Sequence, residues 1–215
     1  MPAGEPLIRW DWVWSHLSDI WSRLVEHVVL SGLAVAVGFI LSFVLVLLIR
    51  RFHRAAGPVT WAAGVLYTIP SIALFALLIP FTGLSLATAE IGLVSYTLLI
   101  LIRAILGGLA AVPEDARETA IGMGYTPAQL LWRVELPLAV PVIVAGVRVA
   151  TITTIGLTTV TALIGQGGLG FFIIDGMQRL FTTPLLVGAI LSVALAVTAD
   201  IALVLLQRRL TPWAT

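Results

Sequence analysis

Five stretches of this chain are apolar enough to approach the length, about 20 residues, that carries a helix across a bilayer. They cover residues 28–49, 59–79, 86–105, 138–164 and 185–206. Lipid offers the backbone no hydrogen-bond partner, so each is predicted as a helix. Ahead of the first, Trp10, Val13, Trp14, Leu17, Trp21, Leu24 and Val28 recur at helical spacing. Asp11, Ser18, Asp19, Ser22 and Glu26 fill the other face. Tryptophans favour the headgroup layer, so residues 1–27 are expected to carry an amphipathic helix on the outer surface. The alternative is a helix packed sideways on the bundle. His16 and His27 on this element read as surface residues rather than metal ligands.

The second span carries Tyr67, Pro70 and Ser71 near its middle, where proline removes a donor and kinks the helix. That kink is either a hinge for gating or a fixed packing feature.

Composition agrees with a membrane protein. Of 215 residues, 60% are hydrophobic and 11% charged, against about 45–50% apolar and about 25% charged in soluble domains. Net charge of +1 argues against a nucleic-acid surface, and the absence of cysteine excludes disulfides and thiolate metal sites. The start, "MPAGEPLIRWDWVW", has no basic region before an apolar core, so no cleaved signal peptide is expected. All 12 basic residues are arginine. A phosphate-binding loop needs lysine, so this chain does not hydrolyse ATP by that route.

Arginine placement sets orientation. Arg50, Arg51, Arg54, Arg103, Arg117, Arg133, Arg208 and Arg209 fall on one side; Arg9, Arg23 and Arg179 fall on the other. The N terminus is expected outside and the C terminus in the cytoplasm.

Between the third and fourth spans lies a polar, punctuated segment, residues 112–137. Pro113, Glu114 and Asp115 suit a helix start, and Gly124 is placed to stop it in a left-handed cap. Thr126, Pro127 and Gln129 specify a second start with a capping box. The result is a short cytoplasmic helix-turn-helix. Its charges, Glu114, Asp115, Glu118 and Glu135 against Arg117 and Arg133, repel phosphate, so DNA binding fails. A groove on a protein partner suits it better.

The segment resembles the EAA motif of ABC-importer permeases. "ETA" at 118–120 is followed by three residues, Gly124, nine residues, Val134, one residue, and Leu136-Pro137. Thr119 stands where the family has alanine and Val134 where it has isoleucine; every spacing holds. "YTIPSIALFALLIPFTG" (67–83), "ELPLAVPVIVAGVRVA" (135–150) and "TALIGQGGLG" (161–170) are similar to the osmoprotectant permeases of glycine betaine, carnitine and choline importers. The resemblance implies an all-α integral membrane protein with five transmembrane helices of the type I importer permease kind. It also implies a single permease domain over 28–215 in the bacterial inner membrane. Glu114, Asp115, Arg117, Glu118, Thr119, Ala120, Gly122, Gly124, Leu136 and Pro137 would dock a cytoplasmic ATPase subunit. The chain itself would bind no cofactor, since ATP and Mg sit on that subunit. A second permease copy, identical or paralogous, and an extracytoplasmic solute-binding protein complete the expected partners.

Other features carry candidate chemistry. Arg148 in the fourth span and Asp200 in the fifth lie about 15 Å and 12 Å from the cytoplasmic ends. Charges in lipid are functional candidates, and the two are expected to pair or share a polar network beside the pathway. Thr151, Thr158 and Thr161 share a face with Arg148; they either line that pathway or bond their own backbone. Residues 165–170 fit the spacing G-x-G-x-x-G but end a membrane span rather than follow a strand, so dinucleotide binding is rejected. Gly165 and Gly167 either shape a substrate entrance or stop the helix. The following "FFIIDGMQRLF" reads as a short outer interfacial helix. Tyr67, Trp61, Phe75 and Tyr96 offer faces to a quaternary ammonium but form no cage. Two rival functions remain: a permease for amino acids or methionine, and an ion-coupled carrier or channel. No nucleophile–base pair or metal-ligand cluster supports an enzyme.

Overall fold

The computed structural model describes residues 7–212; the first six residues of the expected outer segment 1–27, and residues 213–215, lie outside it. The described residues form helices α1 (Trp10–Ser15), α2 (Leu17–Arg51), α3 (Ala56–Thr68), α4 (Ser71–Thr82) and α5 (Leu86–Ala110). Then come α6 (Glu114–Gly122), α7 (Pro127–Leu130), α8 (Leu136–Thr158), α9 (Gly170–Gln178) and α10 (Thr182–Leu210). A π turn, Leu131–Glu135, joins α7 to α8, and a 3-10 turn, Val160–Ile164, follows α8.

Four helices are long and apolar enough to cross a membrane, and a fifth span exists if the bent pair α3–α4 counts as one. α5 is the core of the bundle. It buries residues all round, from Thr88 to Leu109, while α2 and α8 pack along its sides. One apolar cluster gathers Val46, Ile49, Ile102, Ile105, Ala139 and Ile143 toward the α6 end; another gathers Leu30, Ala34, Phe75, Leu93 and Ile164 toward the opposite end. Missing side chains permit the close contacts. A Cβ on Gly38 of α2 would lie 1.8 Å from Thr97 Oγ1 of α5, and one on Gly146 of α8 would lie 2.0 Å from Ala104 Cβ. This is how membrane helices pack without water to drive them together. α10 buries nothing beyond Ser192, so most of its length faces outward.

Three expectations are corrected. The outer segment and first span are not separate elements. α1 stops at Ser15, and α2 then runs unbroken for 35 residues because nothing between Leu17 and Arg51 breaks a helix. In its upper part Ile20 and Leu24 pack with Leu169 and Phe172 while Trp21 stays exposed, and His27, expected on the surface, is fully buried. The stretch expected as one kinked second span is two helices, α3 and α4. Pro70 forces Ile69 into an extended conformation (ψ 127°), and α3 and α4 meet at 100°. The helix that carries the expected fourth span begins at Pro127, ahead of 138, because α7, the π turn, α8 and the 3-10 turn form one helical run of 38 residues to Ile164. The π turn precedes Pro137, which has no N–H to give to residue 133, so the ladder is re-registered where proline would break it. The second helix start of the polar segment is therefore the foot of a span, not a free helix.

Candidate functional site

α6 stands out from the bundle. Glu114, Asp115, Glu118, Thr119 and Gly122 are exposed, and Ala120 is the one residue of the helix that is buried. The helix ends in a Schellman arrangement: Gly124 N–H donates to Ile121 C=O at 2.9 Å and Tyr125 N–H to Ala120 C=O at 3.1 Å. This closure requires the left-handed φ of +83° at Gly124. Thr126 Oγ1 accepts from Gln129 N–H at 3.3 Å, and Gln129 Oε1 accepts from Thr126 N–H at 2.8 Å. Both starts and the stop read from the sequence are thus formed. Of the expected docking residues, Ala120 is 1% exposed and Leu136 and Pro137 are half-buried in the first turn of α8. Ala120 is therefore covered, whereas Leu136 and Pro137 keep part of their surface open.

Arg117, also expected at the docking surface, points inward. Its Nε lies 3.1 Å from Glu135 Oε1, and its Nη2 donates to the carbonyl of Leu109 at the end of α5. Glu135, 5% exposed, also holds Arg50 of α2, Nη2 to Oε2 at 2.7 Å. In the sequence Glu135 is one of six charges in the polar segment and the first residue of the stretch 135–150. An acid two residues before the proline that enters the lipid was the available signal. Its partner Arg50 lies 85 residues away in sequence, beyond the reach of any spacing argument.

Within the spans, Arg148 and Asp200 join α8 to α10 through two parallel bonds of 2.7 and 3.0 Å, and each side chain is about a third exposed. The threonines take the second of their two readings. Thr151 donates to Val147 C=O, Thr158 to Thr154 C=O and Thr161 to Thr158 C=O. Thr158 and Thr161 have no exposed surface, so they line no open path in this conformation. Thr151 borders an apolar groove of about 590 Å³ between α2, α8 and α10. Tyr67 and Pro70 are exposed and Ser71 half-buried at the α3–α4 break, where the Tyr96 hydroxyl donates to Ile69 C=O. Tyr67 and Tyr96 meet edge to face with centroids 5.9 Å apart. Phe75 is buried and Trp61 exposed, so the four aromatics form no cage.

The glycine loop is clamped to α2. Gly167 N–H donates to Glu26 Oε1 at 3.2 Å and Leu169 N–H to His27 Nδ1 at 3.3 Å, so the proton of His27 is on Nε2, which donates to Ile155 C=O at 3.0 Å. Gly165 (φ +81°), Gly167 (+157°) and Gly168 (+49°) supply backbone that other residues rarely adopt. A Cβ on Gly168 would lie 2.6 Å from His27 Cβ. The loop follows a 3-10 turn and not a strand, so it has no dinucleotide-binding geometry. Beside it, Trp12, Asp19, Arg23, Phe171, Asp175 and Arg179 border an open pocket of about 580 Å³.

The described residues thus form a bundle of long apolar helices with one polar helix, α6, turned out of it ahead of α8. Residues 34–212 match the family described as binding-protein-dependent transport system inner membrane component, and the chain belongs to that family. It is 35% identical over 190 residues to the choline transport system permease protein OpuBB of Bacillus subtilis, covering 88% of each chain. It is 38% identical over 196 residues to the osmoprotectant import permease protein OsmW of Salmonella typhimurium, covering 89% of this chain and 91% of that one. A chain of the MetNI methionine ABC transporter in an inward-facing conformation superposes with a TM-score of 0.74, at 22% identity, over 92% of this chain and 97% of that one. That last likeness shows the fold.

Proposed function

We propose that this chain is the membrane-spanning half of an ATP-driven importer that brings a quaternary-amine osmoprotectant, glycine betaine, carnitine or choline, into a bacterial cell across its inner membrane. Two copies, or this chain and a paralogue, surround the path. α3 and α4 together make the second of five spans. The arginine-rich ends, α6 included, face the cytoplasm, where eight of the arginines accumulate against three on the far side.

The single observation that carries the reading is α6. It is a capped helix with Glu114, Asp115, Glu118, Thr119 and Gly122 turned outward, a shape and polarity that suit a groove on an ATPase subunit. ATP and Mg bind to that subunit, whose closure pushes α6 and rocks the spans between outward and inward openings. A solute-binding protein outside delivers the cargo. The cargo class is supported by the relatives that carry choline and osmoprotectants in their names.

Uptake of labelled glycine betaine and choline, in a strain without its own importers that supplies the cognate ATPase and binding protein, tests the reading. Uptake of methionine alone moves the cargo to amino acids. Uptake that follows an ion gradient and ignores ATP overturns the importer reading.

A further inference from the structure

We propose that Glu135 is the positioning residue that makes α6 and the first turns of α8 move as one body, so that force on α6 reaches the spans. The inference rests on the importer reading above and names the residue through which it works.

The argument starts from how little holds α6. It buries Ala120 alone, and a helix with one buried residue has little packing through which to pass a push. Among the described residues its side-chain polar tie to other elements is Arg117. That side chain reaches the carbonyl of Leu109, pairs with Glu114 on its own helix at 3.2 Å, and pairs with Glu135 at 3.1 Å. Glu135 closes the π turn Leu131–Glu135 and precedes Leu136 and Pro137, the start of α8. The backbone ladder is weakest there, since Pro137 has no N–H, and a π turn marks a place where helix register changes. Glu135 sits at that junction as the last residue before α8, so its pair with Arg117 holds α6 to the junction by a side chain as well as by the ladder.

Glu135 is shared by two arginines on different bodies. A carboxylate withdrawn from water is costly without a partner, so it keeps at least one through any movement. Arg117 is held by three groups at once. Arg50, at the end of α2, has Glu135 as its one ion-pair partner among the described residues. The Arg50 contact is the one that gives, and α2 is the body past which the α6–α8 unit turns.

The absence of cysteine makes the test clean. Spin labels on cysteines at Met123 and Val142 report the α6–α8 distance, and labels at Val44 and Val142 report α2–α8. All three positions are exposed. Distances are read in the permease–ATPase complex without nucleotide and with ATP. The Met123–Val142 distance is expected to stay fixed while Val44–Val142 changes by about 2 Å or more. Glu135→Gln is expected to keep the ATPase attached, broaden the Met123–Val142 distribution, and lower the solute moved per ATP hydrolysed by about tenfold. A Met123–Val142 distance that changes as much as Val44–Val142 overturns the proposal, even if Glu135→Gln does not fold. So does a Glu135→Gln complex with the wild-type ratio. A wild-type permease that binds no ATPase defeats the importer reading itself, and this inference with it.

Discussion

Arg148 and Asp200 meet side by side, Nε on Oδ1 at 2.7 Å and Nη2 on Oδ2 at 3.0 Å, and fasten α8 to α10 in the membrane interior. The fork of the guanidinium matches both carboxylate oxygens, which makes the pair directional as well as attractive. Each partner answers the charge of the other where lipid answers neither. Arg148→Ala and Asp200→Ala are each expected to lower uptake by roughly tenfold by leaving one charge unanswered. The double variant and the reversed pair Arg148→Asp with Asp200→Arg are expected to recover part of it. Uptake rates of the four variants at equal membrane abundance check this.

Contact between α2 and α5 depends on an absent side chain. At Gly38 a methyl group would fall 1.8 Å from Thr97 Oγ1, whereas at Gly32, earlier on the same helix, nothing lies within 4 Å. Gly38→Ala is therefore expected to cost about 1–3 kcal/mol, by the overpacking that a close helix contact does not absorb. Gly32→Ala is expected to be nearly neutral. Thermal melting of the purified permease in detergent separates the two.

His27 satisfies backbone on two other elements at once, Ile155 C=O of α8 and Leu169 N–H of the glycine loop. His27→Leu leaves both buried groups without a partner, at about 1–3 kcal/mol for each. His27→Gln, which carries a donor and an acceptor, is expected to melt closer to wild type than His27→Leu. Equal melting temperatures for the two variants would contradict the bridging role.

Gly124 closes α6 with a φ of +83°. Gly124→Asn is expected to be tolerated, because asparagine enters the left-handed region readily. Gly124→Val is expected to fray the last turn, at a cost of about 1–2 kcal/mol. Amide exchange at Gly124 and Tyr125, the two donors of the Schellman closure, reports the fraying.

What the chain reveals on inspection follows from the range of each signal. Periods of 3.6 residues and runs of about 20 apolar residues are local, so the spans could be found from composition and order alone. Caps are local too, which is why Gly124, Thr126 and Gln129 were assigned correctly. Breaks were misjudged where neighbours decide. Pro70 alone does not say whether a helix bends or parts; here α3 and α4 part at 100°, and both pack against α5. The unbroken α2 is not legible because its upper turns are amphipathic by composition; Glu26 and His27 at their foot meet the glycine loop, while Ser18, Asp19 and Ser22 stay exposed. Arg148 and Asp200 were linked because charges in lipid are few. Glu135 and Arg50 were not linked, because each sits at a span end where charges are common.

The most direct measurement is recovery of the ATPase on affinity-purified permease, comparing wild type with Glu118→Arg on the exposed face of α6. Retention by the wild type and loss by the variant, with the variant melting as wild type does, is the predicted result. A variant that keeps the ATPase and imports betaine at the wild-type rate contradicts the account.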